Sequence, residues 1–483
     1  MPEHILALDL GTTTVRAMVV DGSARPLSIA LRTNPLSYPA PGLVEQQPES
    51  LWSNVIEVKD QALSEAGLAP SDISTIGVAS QRASLIVWDK TTLAPLSPLV
   101  SWQDLRGIEV AEALQAQGHL VTHQMTASKL ESVIDSIENG RRRMQAGELA
   151  WGNADTYIIA RLSAGRTHAM DLSQFSATGY FNYVDGVNEG LVQAQNLDLS
   201  MFPNLADTAQ NHGLTDTDCF GAETMIGAIV ADQQSAMIAQ GCNRVGLGKV
   251  TYGTSGTIDI NTGTELKLAG GAYPMVLRNQ GDHIEYLLEG MVITAGAMFD
   301  WLAGGLELIG NPEETARIAA SVPDSGGVFV LPALQGLGSP YGDPEKRAII
   351  GGLSRASTKA HVVRAAFEGV ASRVREAFEQ VYIEAPELGR PDSLRVDGGA
   401  TRNDLFMQIQ ADILGIPVER HAVAEATALG AAMCAGETAG LWDAEMGASL
   451  RSVDRVFEPL WSADQRENFY TNWQRATTSN NER

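Results

Sequence analysis

A chain of 483 residues is longer than one ordinary core accommodates and predicts two or three domains. With 44% hydrophobic and 19% charged residues it is globular, and a formal net charge of −24 argues against a nucleic-acid backbone as partner, because phosphate contacts need clustered Lys and Arg. Cys219, Cys242 and Cys434 offer neither metal-ligand spacing nor the even count of a disulfide frame, so a reducing, cytoplasmic setting is expected.

Met1 to His4 leads directly into an apolar strand and no run of 18 apolar residues occurs, so neither a secretion signal nor a membrane span is expected. Ile5 to Leu8 and Val15 to Val20 read as strands around the turn in LALDLGTTTVR at 6–16. That turn gathers the Asp9 carboxylate, Gly11 and the hydroxyls of Thr12, Thr13 and Thr14 at a strand tip, where a metal-bound polyphosphate could be held. Glu49 to Glu65 has the spacing of an amphipathic helix, with Leu51, Trp52, Val55, Ile56 and Leu63 inward. Ile73 to Ala79 is a buried strand that ends in Ser80-Gln81-Arg82, polar residues placed for ligand contact. Leu85 to Trp88 and Leu99 to Trp102 continue the sheet, and Gly190 to Asp232 is broken by Asn, Asp, Gly and Thr clusters.

A connector at Gly241 to Lys249 divides the chain, giving expected domains of 1–243 and 244–483. The second half restarts with a strand at Lys249 to Tyr252 and a second glycine-threonine turn, TYGTSGT at 251–257. A long helix at Lys359 to Ala385, a strand at Ser393 to Val396 and a terminal amphipathic stretch at Ala463 to Ala476 with a frayed polar tail follow. Each half thus opens on strand, phosphate-type turn and strand, and each ends in a helix of small residues, DQQSAMIAQG at 232–241 and TALGAAMCAG at 427–436. Such helices can pack closely enough to cross at a hinge between domains. Gly246-Leu247-Gly248-Lys249 only superficially resembles a Walker loop, since Val250 stands where Ser or Thr belongs. No zinc motif occurs among the eight histidines.

Together these motifs resemble those of the FGGY carbohydrate kinases, from LALDLGTTTVR through GLVEQQPESLW, SQRASLIVWD, VADQQSAMIAQG, TYGTSGTIDINTG and EGMVITAGAMFDWL to LPALQGLGSPYGDP, RVDGGATRNDLFMQIQADILGIPV and EATALGAAMCAG. The resemblance implies an α/β fold of two actin-like (ribonuclease-H-like) ATPase domains with a cleft between them. It implies that Asp9, Thr12, Thr13, Thr14 and Arg16 form a first phosphate loop, with Asp9 the outer-sphere Mg²⁺ ligand. Gly253 and Thr254 would hold phosphates from the second domain, while Gly296, Gly399 and Asn403 contact adenosine. The Gly398-Gly399 pair lets a flat purine lie against backbone, and Asn403 is expected in the first turn of the helix that follows.

Asp232 is expected to carry the chemistry: after a strand and at the start of a helix, its carboxylate can take the proton of an attacking hydroxyl. An N-cap is its ordinary alternative role. Arg82, Trp102, Gln81 and Gln233 are expected on the acceptor side, where the chain is most similar to the glycerol kinases. Three departures stand out. Ala83 replaces the glutamate that glycerol kinases carry after the arginine, and an unpaired buried hydroxyl costs on the order of 1–3 kcal/mol. His123-Gln124-Met125-Thr126 is short and lacks the usual aromatic residue, and Asp300 replaces a glutamine beside the adenine site. The expected activity is ATP- and Mg²⁺-dependent phosphorylation of a small polyol or sugar. A ketose or longer-polyol kinase is the alternative within the class, and a non-catalytic sugar-binding regulator the alternative outside it. Domain closure and a homo-oligomer, a dimer, are the remaining expectations.

Overall fold

The computed structural model describes residues 3–183 and 186–478. The expected frayed tail lies largely outside the described residues. The chain divides into two compact units: unit 1 comprises Met1–Gly241, Met275–Glu285 and Thr427–Leu450, and unit 2 comprises Cys242–Pro274, Tyr286–Ala426 and Arg451–Arg483. A division at 243/244 treats the second half as one block, whereas two of its segments pack with unit 1.

Unit 1 is built on five strands, β1 (His4–Leu10), β2 (Thr14–Val20), β3 (Pro26–Thr33), β4 (Ile73–Ser80) and β5 (Met225–Ala231), in the order β5-β4-β1-β2-β3. The first three form an antiparallel meander, β4 runs parallel to β1, and β5 runs parallel to β4. Beyond their first residues β1 and β5 are wholly buried, as strands covered on both faces are. The helix Pro48–Ala66 lies on β2 and β3; proline at its first turn starts it, and Gly67 at φ 70° ends it by donating its N–H to the Leu63 and Ser64 carbonyls. The expected strand at 99–102 is shorter than read. Leu99–Val100 pairs with Glu45–Gln46, and Trp102 lies in the turn beyond.

The helices Asp232–Ala239 and Ala426–Thr438 meet backbone to backbone in unit 1, the close packing that their small residues predict. A Cβ on Gly430 would stand 1.8 Å from the Ser235 carbonyl oxygen, and one on Gly77 of β4 would stand 2.0 Å from that of Ala431. The Ser235 hydroxyl donates to the Thr427 carbonyl at 2.6 Å.

Unit 2 has β6 (Gly248–Tyr252), β7 (Gly256–Gly263), β8 (Tyr273–Gln280), β9 (His283–Val292), β10 (Leu394–Asp397), β11 (Val418–His421) and β12 (Val453–Phe457). Their order is β8-β9-β7-β6-β10-β11-β12, and the Met275–Glu285 segment, most of β8 with the start of β9, is assigned to unit 1. From β9 to β11 the sheet repeats the plan of β3-β2-β1-β4-β5: two antiparallel pairings, then two parallel ones. The helix Lys359–Glu384 anchors this core, its Phe367 stacking on Phe406 with ring centroids 5.3 Å apart. Among the described residues no helix is long and apolar enough to cross a membrane.

Candidate active site

Asp9 sits on β1 directly across from Arg16 on β2, so their side chains share one face of the ladder. The Arg16 guanidinium donates to Asp9 Oδ2 at 3.1 Å, and Asp9 is only 4% exposed. Between them the Gly11 N–H closes the turn on the Thr14 carbonyl at 3.0 Å. Thr13 is exposed at its tip, and Thr12 and Thr14 are half-buried.

Thr12 is tied to Gln81 and Trp102, two of the residues expected on the acceptor side. Its hydroxyl donates to Gln81 Oε1 at 2.9 Å and accepts the Trp102 indole N–H at 3.2 Å. Gln81 donates in turn to Gln46 Oε1 at 2.9 Å, and Gln46 donates to the Thr12 carbonyl at 2.7 Å. Gln81 is therefore 2% exposed, with its amide engaged inside the protein. Trp88, by contrast, is core, packed on Tyr157 and His168.

The parallel pairing of β4 and β5 sets Ser80 beside Ala231, which brings the residues just beyond them together. Arg82 Nε lies 3.5 Å from Asp232 Oδ1, and both side chains keep partial access to solvent. Ala231 holds the cap position, Asp232 is the first residue of its helix, and the Gln233 N–H donates to Asp232 Oδ1 at 2.8 Å. Ala83 is buried at φ 53°, a left-handed backbone that β-carbon sterics disfavour.

Beneath these strand ends lies a polar layer that sequence reading missed. Gln174 donates to the Ser80 carbonyl at 3.1 Å and to its hydroxyl at 2.9 Å, while the Ser173 hydroxyl accepts the Ala231 N–H at 2.8 Å. Asp171 caps this short helix through the Gln174 N–H. Burial pushes the Asp171 carboxyl up to about 6 and the neighbouring Asp155 carboxyl up to about 7. Lys129 was also missed. Its ammonium donates to the Ser101 and Gln124 carbonyls at 2.9 and 3.0 Å, and burial brings it down to about 7. Short polar side chains inside an amphipathic pattern carry no separate signal; only the strand-end positions they support do.

In unit 2 the second turn leaves Gly253 and Thr254 exposed between β6 and β7. The Gly296 N–H donates to the Gly253 carbonyl at 3.0 Å, and those of Ala295 and Ala297 to the Thr254 carbonyl at 3.1 and 3.0 Å. A Cβ on Gly296 would stand 2.4 Å from the Gly253 oxygen, which is why glycine opens that helix. Gly398, at φ 92°, is held against the Tyr252 backbone, whereas a Cβ on Gly399 would meet nothing within 4 Å. Asn403 is not inside the first helical turn as expected: it is the N-cap of Asp404–Leu414, its Oδ1 accepting the Phe406 N–H at 3.1 Å. Lys249 lies on a strand, fully buried, 2.7 Å from Asp259 Oδ2 and donating to the Thr251 hydroxyl at 2.7 Å. Burial lowers this ammonium's pKa, but Asp259 and then Asp397 outweigh burial and hold it above its usual value.

Comparison with known proteins accounts for both units. Residues 4–239 match the N-terminal domain and residues 248–439 the C-terminal domain of the FGGY family of carbohydrate kinases. The chain is 38% identical over 486 residues to a glycerol kinase of Citrifermentans bemidjiense, covering 98% of both chains. It is 38% identical over 490 residues to glycerol kinase 2 of Thermotoga maritima, covering 99% of this chain and 98% of the other. The crystal structure of Plasmodium falciparum glycerol kinase with ADP is similar at a TM-score of 0.91 and 26% identity, over 99% of this chain and 98% of that one. A xylulose kinase from Rhodospirillum rubrum shares the fold, with a TM-score of 0.82 at 24% identity.

The chain belongs to the FGGY family of carbohydrate kinases. It is accordingly an ATP-dependent phosphotransferase acting on a small hydroxylated substrate.

Proposed function

We propose that the chain transfers the γ-phosphoryl group of ATP to a hydroxyl of glycerol or a closely similar polyol. The observation that carries this reading is the apposition of Asp232 and Arg82 at adjacent strand ends. Asp232 accepts the proton of the attacking hydroxyl, and Arg82 fixes the acceptor oxygens. Gln233 and Trp102 complete the acceptor side, with Gln81 acting through Thr12. Phosphoryl transfer passes through a loose transition state, so orienting the hydroxyl counts for as much as removing its proton.

The N–H groups and hydroxyls of Thr12, Thr13 and Thr14, with Arg16, receive phosphate oxygens; they are already oriented by the turn and need little reorganisation. In unit 2 the phosphate contacts are Gly253 and Thr254 and the nucleoside contacts Gly296, Gly399 and Asn403, and the open space over Gly399 supports a flat ring there. Among the described residues no group of three or more His, Cys, Asp or Glu is placed to hold a metal. The single carboxylate of Asp9 instead suits a Mg²⁺ that would arrive with the nucleotide, keep its waters and supply charge neutralisation for the phosphates. A homodimer in the cytoplasm completes the proposal.

The test is a screen of purified protein with Mg-ATP against glycerol, erythritol, the pentitols and the ketopentoses, following ADP release. Glycerol or another polyol accelerating release well above the acceptor-free rate supports the proposal. A ketose winning by a wide margin replaces the polyol, and no acceleration by any of them overturns it.

A further inference from the structure

The hydrogen bonds around Thr12 close a ring. The Trp102 indole donates to the Thr12 hydroxyl, that hydroxyl to Gln81, Gln81 to Gln46, and Gln46 back to the Thr12 carbonyl. Gln46 is 0% exposed and also donates to the Asn34 carbonyl at 3.3 Å, while the Asn34 N–H donates to the Thr13 carbonyl at 2.8 Å. Pairing of Glu45–Gln46 with Leu99–Val100 places Gln46 beside the segment that leads into Trp102. One buried amide thus braces the phosphate turn and the acceptor-side aromatic at once.

We infer that Gln46 is a positioning residue that couples loading of the first phosphate turn to the orientation of Trp102. This rests on the proposed roles of Thr12 and Trp102. A hydroxyl has one proton to give. A phosphate oxygen that draws the Thr12 proton takes it from Gln81, and the Thr12 oxygen then presents a different lone pair to the Trp102 indole. With Gln46 holding the Thr12 carbonyl, only the hydroxyl turns; without it, the backbone moves and the message to Trp102 is lost. By linkage the acceptor affects the nucleotide by the same factor as the nucleotide affects the acceptor.

Protein labelled with 5-fluorotryptophan tests this, with the Trp102 resonance assigned through Trp102→Phe. Saturating Mg²⁺ and adenylyl imidodiphosphate, without acceptor, should shift the Trp102 fluorine signal in the natural protein. Gln46→Met, of similar length but with no amide, should bind the nucleotide and leave that signal still. If Gln46→Met does not fold, Gln46→Asn serves, since its amide keeps the site polar but is one methylene short of the Thr12 carbonyl. In either folded variant the KM values for ATP and for the polyol should rise together, severalfold, which a loss of stability alone would not produce. An unmoved Trp102 signal in nucleotide-bound natural protein overturns the inference and leaves the kinase reading intact. So does an undiminished shift in the variants. Failure of the natural protein to bind nucleotide would remove the kinase reading as well.

Discussion

Asp232 opens its helix and leaves the cap position to Ala231, while its Oδ1 takes the Gln233 N–H at 2.8 Å and faces Arg82. We expect Asp232→Asn to lower kcat by about 10²–10⁴-fold with nucleotide affinity retained, measured by coupled ADP release and by equilibrium nucleotide titration. Ala83 offers a gain-of-function test. Restoring a carboxylate beside Arg82 supplies an acceptor for buried polyol hydroxyls, so Ala83→Glu should lower the KM for glycerol by about tenfold. An unchanged KM would show that the acceptor lies elsewhere. The candidates that could be named in advance, Asp9, Thr12, Arg82 and Asp232, all stand at or just beyond strand tips, where an apolar run gives way to polar side chains. Gln46 could not be named, because nothing in a glutamine next to another glutamine tells which one turns inward.

At the scale of elements, the strands with unbroken apolar runs were legible and β3 was not. Its large residues Leu27, Ile29 and Leu31 face outward at 41, 37 and 53% exposure, while Ser28 and Ala30 face the helix Pro48–Ala66. Small inward residues let that helix come close enough for the Ser28 hydroxyl to donate to the Ala62 carbonyl at 2.6 Å, which inverts the usual pattern. The same preference for closeness explains the small-residue helices, and it can be measured. Gly430→Ala forces a methyl group into the Ser235 carbonyl, and we expect a loss of about 1–3 kcal/mol in urea unfolding. Gly190→Ala is the contrast. Gly190 is exposed in the helix Glu189–Ala194 and a Cβ there would meet only Asn188 Oδ1 at 3.6 Å, so this change should stabilise by about 0.5–1 kcal/mol.

For the molecule as a whole, stability should depend on pH in a way that buried groups dictate and net charge does not. Below about pH 7.5 the effects oppose one another: Asp155 and Asp171, raised by burial to about 7 and about 6, make folding less favourable as pH rises, while His168 and His212, lowered by burial to about 4, make it more favourable up to about pH 6.5. Above about pH 8.5 the buried thiols of Cys242 and Cys434, pushed up by burial, again favour the unfolded chain as pH rises. The interval between belongs to Lys129. Its ammonium loses its proton near pH 7 when folded and near 10.5 when unfolded, so in this interval the unfolded chain binds more protons. Unfolding free energy therefore rises with pH, by on the order of 1 kcal/mol from pH 7.5 to 8.5. Urea denaturation at the two pH values should show this rise in the natural protein and a nearly flat response in Lys129→Met. An equal rise in both would assign the effect to another group. A fall in the natural protein would mean that Lys129 stays charged, held by the Ser101 and Gln124 carbonyls against the cost of burial.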